Sequence, residues 1–150
     1  MISLKLIGEL ITDEEIKLLV EWRINVQTLW NETFKVTFEG TKEWIKNLNP
    51  NRRLFFIVED GVLIGHAGYQ KRSKKAVYID NVIRGRGERK GQMKEAVLTL
   101  IKIARFFEKK DVYVKVLPTN EVALKFYRSL GFVEKKMVGK LQEMKYEHNN

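Results

Sequence analysis

The sequence predicts a mixed α/β (α+β) fold, a central twisted sheet of about six or seven strands, part antiparallel and part parallel, flanked by about four helices. Three observations lead there. Asp60-Gly61 lies between two apolar runs, the composition of a tight hairpin that makes its flanking strands antiparallel. Residues 76–116 read strand, helix, strand, which requires a right-handed parallel crossover. Helical and alternating apolar periods succeed one another along the chain, without a repeat or a low-complexity linker.

Taken in order, residues 2–7 alternate and predict a strand. Thr12 is a helix cap with Asp13, Glu14 and Glu15 in the first turn, where carboxylates meet the positive end of the dipole. Ile16, Leu19, Val20, Arg23 and Val26 continue that helix. Thr41 is the expected cap of a second, short helix carrying Trp44, Ile45 and Leu48 and stopping near Pro50. Residues 54–59, 62–70 and 76–83 predict three strands. Residues 92–107 predict a long helix whose buried face is Met93, Ala96, Val97, Leu100, Ala104 and Phe107. Residues 111–116 form a strand, and Pro118-Thr119-Asn120 opens a helix through Leu124, Phe126, Tyr127 and Leu130, ended by Gly131. Two closing strands follow Phe132, with Gly139 near their turn or at a bulge. The predicted order is β-α-α-β-β-β-α-β-α-β-β.

A length of 150 residues with 44% hydrophobic and 31% charged residues fits a single globular domain, 1–150. The longest apolar run, residues 97–104, is interrupted by Thr99 and Lys102 and falls far short of the roughly 20 residues a membrane span needs. There are no cysteines, hence no thiolate chemistry, and with only His66 and His148 a zinc site is not expected. No signal-peptide profile opens the chain, which suggests a cytoplasmic protein with no membrane partner. The unpaired edge strands of an open sheet would allow a homodimer.

Lys plus Arg number 28 and Asp plus Glu 19, a formal charge of +9. Such a charge implies an anionic partner, and its placement says which kind. Residues 84–94 carry Arg84, Arg86, Arg89, Lys90 and Lys94 against Glu88, interleaved with Gly85, Gly87 and Gly91. This basic, glycine-rich stretch sits between a strand and a helix. The first amides of a helix have no internal acceptor and lie at the positive end of its dipole, so a diphosphate can take them. Glycines let backbone approach the phosphate, and Arg and Lys add charge. The stretch matches neither G-x-x-x-x-G-K-[ST] nor G-x-G-x-x-G, since Lys90 stands where the latter needs its third glycine.

A second motif follows. Asn120, Ala123, Phe126, Tyr127, Leu130, Gly131 and Phe132 spell N-x-x-A-x-x-F-Y-x-x-L-G-F. With the basic loop and the element order, it resembles the GNAT superfamily of acetyl-CoA-dependent N-acetyltransferases over about residues 54–146. The family's loop pattern, Q/R-x-x-G-x-G/A, is met imperfectly. With Gly91 as its first glycine, Met93 takes the second small position and Glu88 the basic one; with Gly87, Arg84 fits but Arg89 is displaced. The runs I-D-N-V-I-R-G and K-G-x-M-K-x-A also resemble members that acetylate amino groups of nucleotide sugars.

The resemblance implies acetyl-CoA as co-substrate, a primary amine as acceptor (small molecule, amino sugar or protein amine) and direct attack of that amine on the thioester. It implies a pantetheine arm between splayed strands 76–83 and 111–116, pairing with backbone at Val82, Ile83 and Arg84. The diphosphate would meet Arg86, Gly87, Arg89, Lys90, Gly91, Gln92, Met93 and Lys94. Tyr127 matches the family's tyrosine facing the sulfur, and a phenol can donate to a thiolate of similar basicity. Asn120 matches its cofactor-contacting asparagine and is equally an ordinary helix cap. Lys125 and Arg128 fit either the nucleotide phosphate or a solvated helix face.

A free alkylamine is mostly protonated at neutral pH, so a carboxylate or a water it orients must take the proton. Asp80, on the strand leading to the basic loop, is the first candidate, with Glu59 and His66 behind it. Trp22, Trp30, Phe34, Phe38 and Trp44 would fill the core beside the first helices or, alternatively, form an acceptor-clamping surface. Two other functions explain part of the sequence: a basic nucleic-acid-binding module, which lacks its expected base-reading side chains, and an acetyl-CoA sensor without catalysis.

Overall fold

The computed structural model describes residues 1–26, 35–86 and 91–147. Among them lie seven strands and four helices in the predicted order: β1(Ile2–Leu6), α1(Asp13–Val26), α2(Phe38–Lys46), β2(Arg52–Glu59), β3(Val62–Lys71), β4(Ala76–Arg84), α3(Gln92–Glu108), β5(Asp111–Val116), α4(Glu121–Leu130), β6(Phe132–Val138) and β7(Leu141–Tyr146). The strands form one sheet, ordered β1-β2-β3-β4-β5-β7-β6. All neighbours are antiparallel except β4 and β5, which are parallel across α3. Among the described residues no helix is long and apolar enough to cross a membrane.

Local chemistry sets the element ends. Thr12 and Glu15 form a reciprocal capping box: Thr12 Oγ1 accepts from the Glu15 amide at 3.1 Å and Glu15 Oε1 from the Thr12 amide at 2.9 Å. Asp60 and Gly61 both take positive φ, 48° and 83°, which turns β2 into β3. Gly131 closes α4 at φ 111°, and Gly139, at φ 59°, lies in the β6–β7 turn.

Two expectations are corrected. Thr37, not Thr41, caps α2, its hydroxyl accepting from the Gly40 amide at 3.0 Å. The helix therefore starts four residues earlier, and Thr41 is buried inside it. Phe107 is 69% exposed and packs edge-on against Phe106, also exposed. It lies at the end of α3, where Ile101 and Ala104 already complete the buried stripe.

Strand alternation divides the core. Phe55 and Ile57 face the larger core with α3 and α4, whereas Leu54 and Phe56 face the smaller one with α1 and α2. Helices thus cover both faces of the sheet. In β5, Val112, Val114 and Val116 belong to the α3–α4 side, so Tyr113 and Lys115 project to the other.

Candidate active site

β4 and β5 pair over Ala76–Tyr78 against Asp111–Tyr113, although both strands run on beyond that register. Where the pairing stops, a cavity of about 780 Å³ opens between Ile79, Asp80, Asn81 and Val82 on one side and Lys115, Val116 and Leu117 on the other. Asn120, Ala123 and Tyr127 of α4 form another wall, and Val138, Lys140 and Leu141 bring in the last hairpin.

Two features turn β4 away from β5. Its register against β3 slips between His66 and Gly68, which face Ile83 and Asp80, so β4 holds one extra residue there. Asn81 takes positive φ, 54°, at that bulge. Asn81 and Val82, at the bulge, line the cavity.

The basic loop is anchored from below. The amides of Gly85 and Arg86 both donate to Ile64 O, at 2.7 and 2.8 Å. Trp22 of α1 lies directly on Gly85, where a methyl group would fall inside its indole ring, and Arg86 extends over the same ring at 5.9 Å. Arg84 donates to Gln92 Oε1 at 2.9 Å, and Gln92 Nε2 donates to Glu59 Oε1 at 2.5 Å. Glu59 and buried Gln92 therefore brace the entry to α3, and neither lines the cavity.

Gly91 enters α3 at φ 90° without a side-chain cap. The first helical bond runs from the Glu95 amide to Gly91 O, so the Gln92, Met93 and Lys94 amides precede the helical ladder. Met93 packs partly against the core and Lys94 is exposed. Gly87, Arg89 and Lys90 lie outside the described residues, as do Trp30, Phe34 and His148. Uncapped amides, an open approach at Gly91 and a split sheet suit a coenzyme with a diphosphate and an extended arm.

Asp80 lines the cavity with a half-exposed side chain. Its Oδ1 accepts from Arg52 Nη1 at 2.5 Å and from Asn81 Nδ2 at 3.0 Å. Arg52 Nη2 donates to Gln70 Oε1 at 2.9 Å. Arg23 donates to Asn81 Oδ1 at 3.0 Å and lies 4.4 Å over the Trp44 ring. These partners come from α1, α2, β2, β3 and β4, and their convergence left no signature in the sequence because most of them lie far apart along the chain.

Tyr127 is buried against Phe126 and Phe132 and lines the same cavity. Burial and the neighbouring Asp80 charge raise its phenol above the ordinary value near 10, so it remains a proton donor. Asn120 lines the cavity and caps α4, its Oδ1 accepting from the Ala123 amide at 3.1 Å. Arg128 is tied to Glu134, and Lys125 is exposed. His66 is wholly buried, away from the cavity lining, beneath Trp22. Desolvation, with the Arg23 charge, pushes its pKa down to about 3, so the ring is neutral. Trp22 is a core residue, while Trp44 and Phe38 are half-buried.

A parallel pair split around a cavity, with free helix amides at one end and a protonated phenol within, defines an enzyme that takes an acetyl group from a coenzyme A thioester. The sequence profile described as the Acetyltransferase (GNAT) family matches residues 20–132, and the chain belongs to that family. Membership makes acetyl transfer its general activity, with acetyl-CoA the donor and an amine the general class of acceptor.

Solved structures share the fold. The N-acetyltransferase PseH of Campylobacter jejuni, in complex with acetyl coenzyme A, has a TM-score of 0.76 at 20% identity, over 99% of this chain and 100% of that one. FdhC, a nucleotide-linked sugar GNAT, has a TM-score of 0.74 at 19% identity, over 96% and 89%. A mutant of the spermidine N-acetyltransferase SpeG from Vibrio cholerae has a TM-score of 0.71 at 16% identity, over 96% and 90%. Among curated proteins none matches this chain.

Proposed function

We propose that a primary amine attacks the acetyl thioester directly in the cavity between β4 and β5. The reading rests on one observation: Asp80 and Tyr127, from different elements, line the same opening where the parallel strands part. When bound there, acetyl-CoA supplies the activated acetyl carbonyl and a thiolate leaving group.

The backbone of Val82, Ile83 and Arg84 offers an extended edge for the pantetheine arm. The Gln92, Met93 and Lys94 amides, with Arg86 and the neighbouring Gly87, Arg89 and Lys90, receive the diphosphate. Asp80 accepts the proton the amine must lose, directly or through a water. Arg52 and Asn81 take Oδ1, which fixes the carboxylate and leaves Oδ2 for this task. Tyr127 donates its phenol proton, or a hydrogen bond, to the departing sulfur. Asn120 supports α4 beside it.

Two fold neighbours name different acceptors, a nucleotide-linked sugar and a polyamine. The runs at residues 79–85 and 90–96 support an amino sugar. The test is calorimetric titration with acetyl-CoA at two salt concentrations, followed by an amine screen read by thiol release. Near-equimolar binding that weakens with salt, with turnover of at least one amine, is expected. Binding without turnover of any amine would leave a non-catalytic sensor.

A further inference from the structure

Among the described residues five charged side chains line the cavity: Arg23, Arg52, Lys115 and Lys140 against Asp80 alone. The balance is strongly positive, and the cations are not equivalent. Arg52 is spent on Asp80 and Gln70, and Arg23 on Asn81 and the Trp44 ring. Lys115 rests 4.7 Å over the Tyr78 ring, whose hydroxyl donates to buried Glu143 at 2.8 Å. Lys140 stands in the β6–β7 turn, held up by Gly139 at positive φ. Among the described residues neither lysine forms an ion pair with a carboxylate.

The coenzyme's diphosphate does not account for this pair. Its donors lie at the start of α3, which packs on the Val114 and Val116 face of β5. Lys115 lies between those two valines and projects to the opposite face. A linear polyamine would bring several positive charges to a mouth that holds one carboxylate, already paired. Ammonium groups act as point charges and suit the dispersed charge of a phosphate, whereas the forked guanidiniums that would select a carboxylate are engaged.

We propose that the acceptor carries a phosphate group beside its amine, and that Lys115 and Lys140 hold that phosphate while Asp80 faces the amine. This rests on the acceptor site described under the proposed function. The lysines then select substrate by charge at the cavity mouth and leave the acetyl donor untouched.

The test compares glucosamine 6-phosphate, glucosamine, an amino acid and a linear triamine as acceptors, in the intact protein and in a Lys115→Gln/Lys140→Gln variant. Equilibrium binding of glucosamine 6-phosphate to the coenzyme A-loaded protein is measured alongside. The intact protein should favour the phosphorylated sugar over the plain sugar by about tenfold or more in kcat/KM at low salt. In the variant that ratio should fall towards one and sugar-phosphate binding should weaken about fivefold or more, with acetyl-CoA affinity unchanged. Preference for the triamine or the amino acid, no binding of the sugar phosphate, or an unchanged ratio in the variant overturns the proposal. So does a loss confined to acetyl-CoA affinity, which would assign the lysines to the donor. Lysine-dependent binding of the sugar phosphate without turnover of any amine would sink the transfer reading and uphold only the phosphate-holding role of the two lysines.

Discussion

Arg52 of β2 reaches over the intervening strand β3 to Asp80 of β4, placing Nη1 2.5 Å from Oδ1, and its second nitrogen stays with Gln70 of β3. The strand between is crossed where Gly68 stands opposite both Leu54 and Asp80. The proposed proton acceptor is therefore held by groups from three strands.

Asp80→Asn keeps the hydrogen bond from Arg52 and removes the basic oxygen. Turnover should fall by about 10²-fold or more, the usual yield of a positioned base, with acetyl-CoA affinity retained. Arg52→Gln keeps the carboxylate and loosens its placement, so its loss should be smaller. Steady-state kinetics with donor titrations check both. Equal activity of Asp80→Asn and the parent protein would remove Asp80 from the mechanism.

Tyr127→Phe leaves the aromatic contacts with Phe126 and Phe132 in place and deletes only the hydroxyl. kcat should drop by about 10- to 10²-fold with little change in stability. Because the phenol is raised above its ordinary value, it stays protonated up to about pH 10. The parent enzyme should show no loss of rate from its ionisation between pH 8 and about pH 10. A Tyr127-dependent decline in that window would contradict the assignment.

Gly85→Ala would drive a methyl into the Trp22 ring. Overpacking of this kind costs about 1–3 kcal/mol. Here it should also shift the strand end that leads to the α3 amides, so acetyl-CoA affinity and thermal stability should fall together. Trp22→Leu in the same chain should restore part of the affinity. Calorimetry and thermal melts on the single and double variants measure this coupling.

His66 predicts a pH dependence of stability. Its folded pKa is near 3 against about 6.5 unfolded, so below pH 6.5 the unfolded chain binds a proton that the folded chain refuses. Stability is full above pH 6.5 and is lost as pH falls towards 3. Each unit of that interval is worth about 1.36 kcal/mol, or roughly 2–3 kcal/mol by pH 4.5. Denaturant melts of the parent protein and of His66→Gln should show a flatter acid dependence in the variant. Parallel curves would refute the burial argument.

The two regions of the site differ in how far the sequence revealed them. The N-x-x-A-x-x-F-Y motif brought Asn120 and Tyr127 onto one helix at fixed spacing, and local helix geometry carries such spacing into space. Asp80 was reachable as a carboxylate on the strand before the basic loop. Its partners Arg52, Gln70, Asn81 and Arg23 sit on three strands and a helix, up to 58 positions apart along the chain. No periodicity records a contact at that distance.

By itself the sequence determined the element order, the hairpin at Asp60-Gly61, the parallel crossover and the donor class. Each is written in short-range chemistry: turn residues, caps, alternation and a motif read along one helix. It misplaced the start of α2, because Thr37 and Thr41 are both competent caps and only packing put Thr41 inside. That β4 and β5 splay was expected from the family resemblance, but only the tertiary structure set where they part, after Tyr78 and Tyr113, with the bulge at Asn81 turning β4 away. It also decided that Glu59 and Gln92 brace the loop rather than line the cavity, and that Lys115 and Lys140 both line it. Those outcomes depend on which face of a twisted sheet each residue occupies, a quantity fixed by register between strands and not by order along the chain.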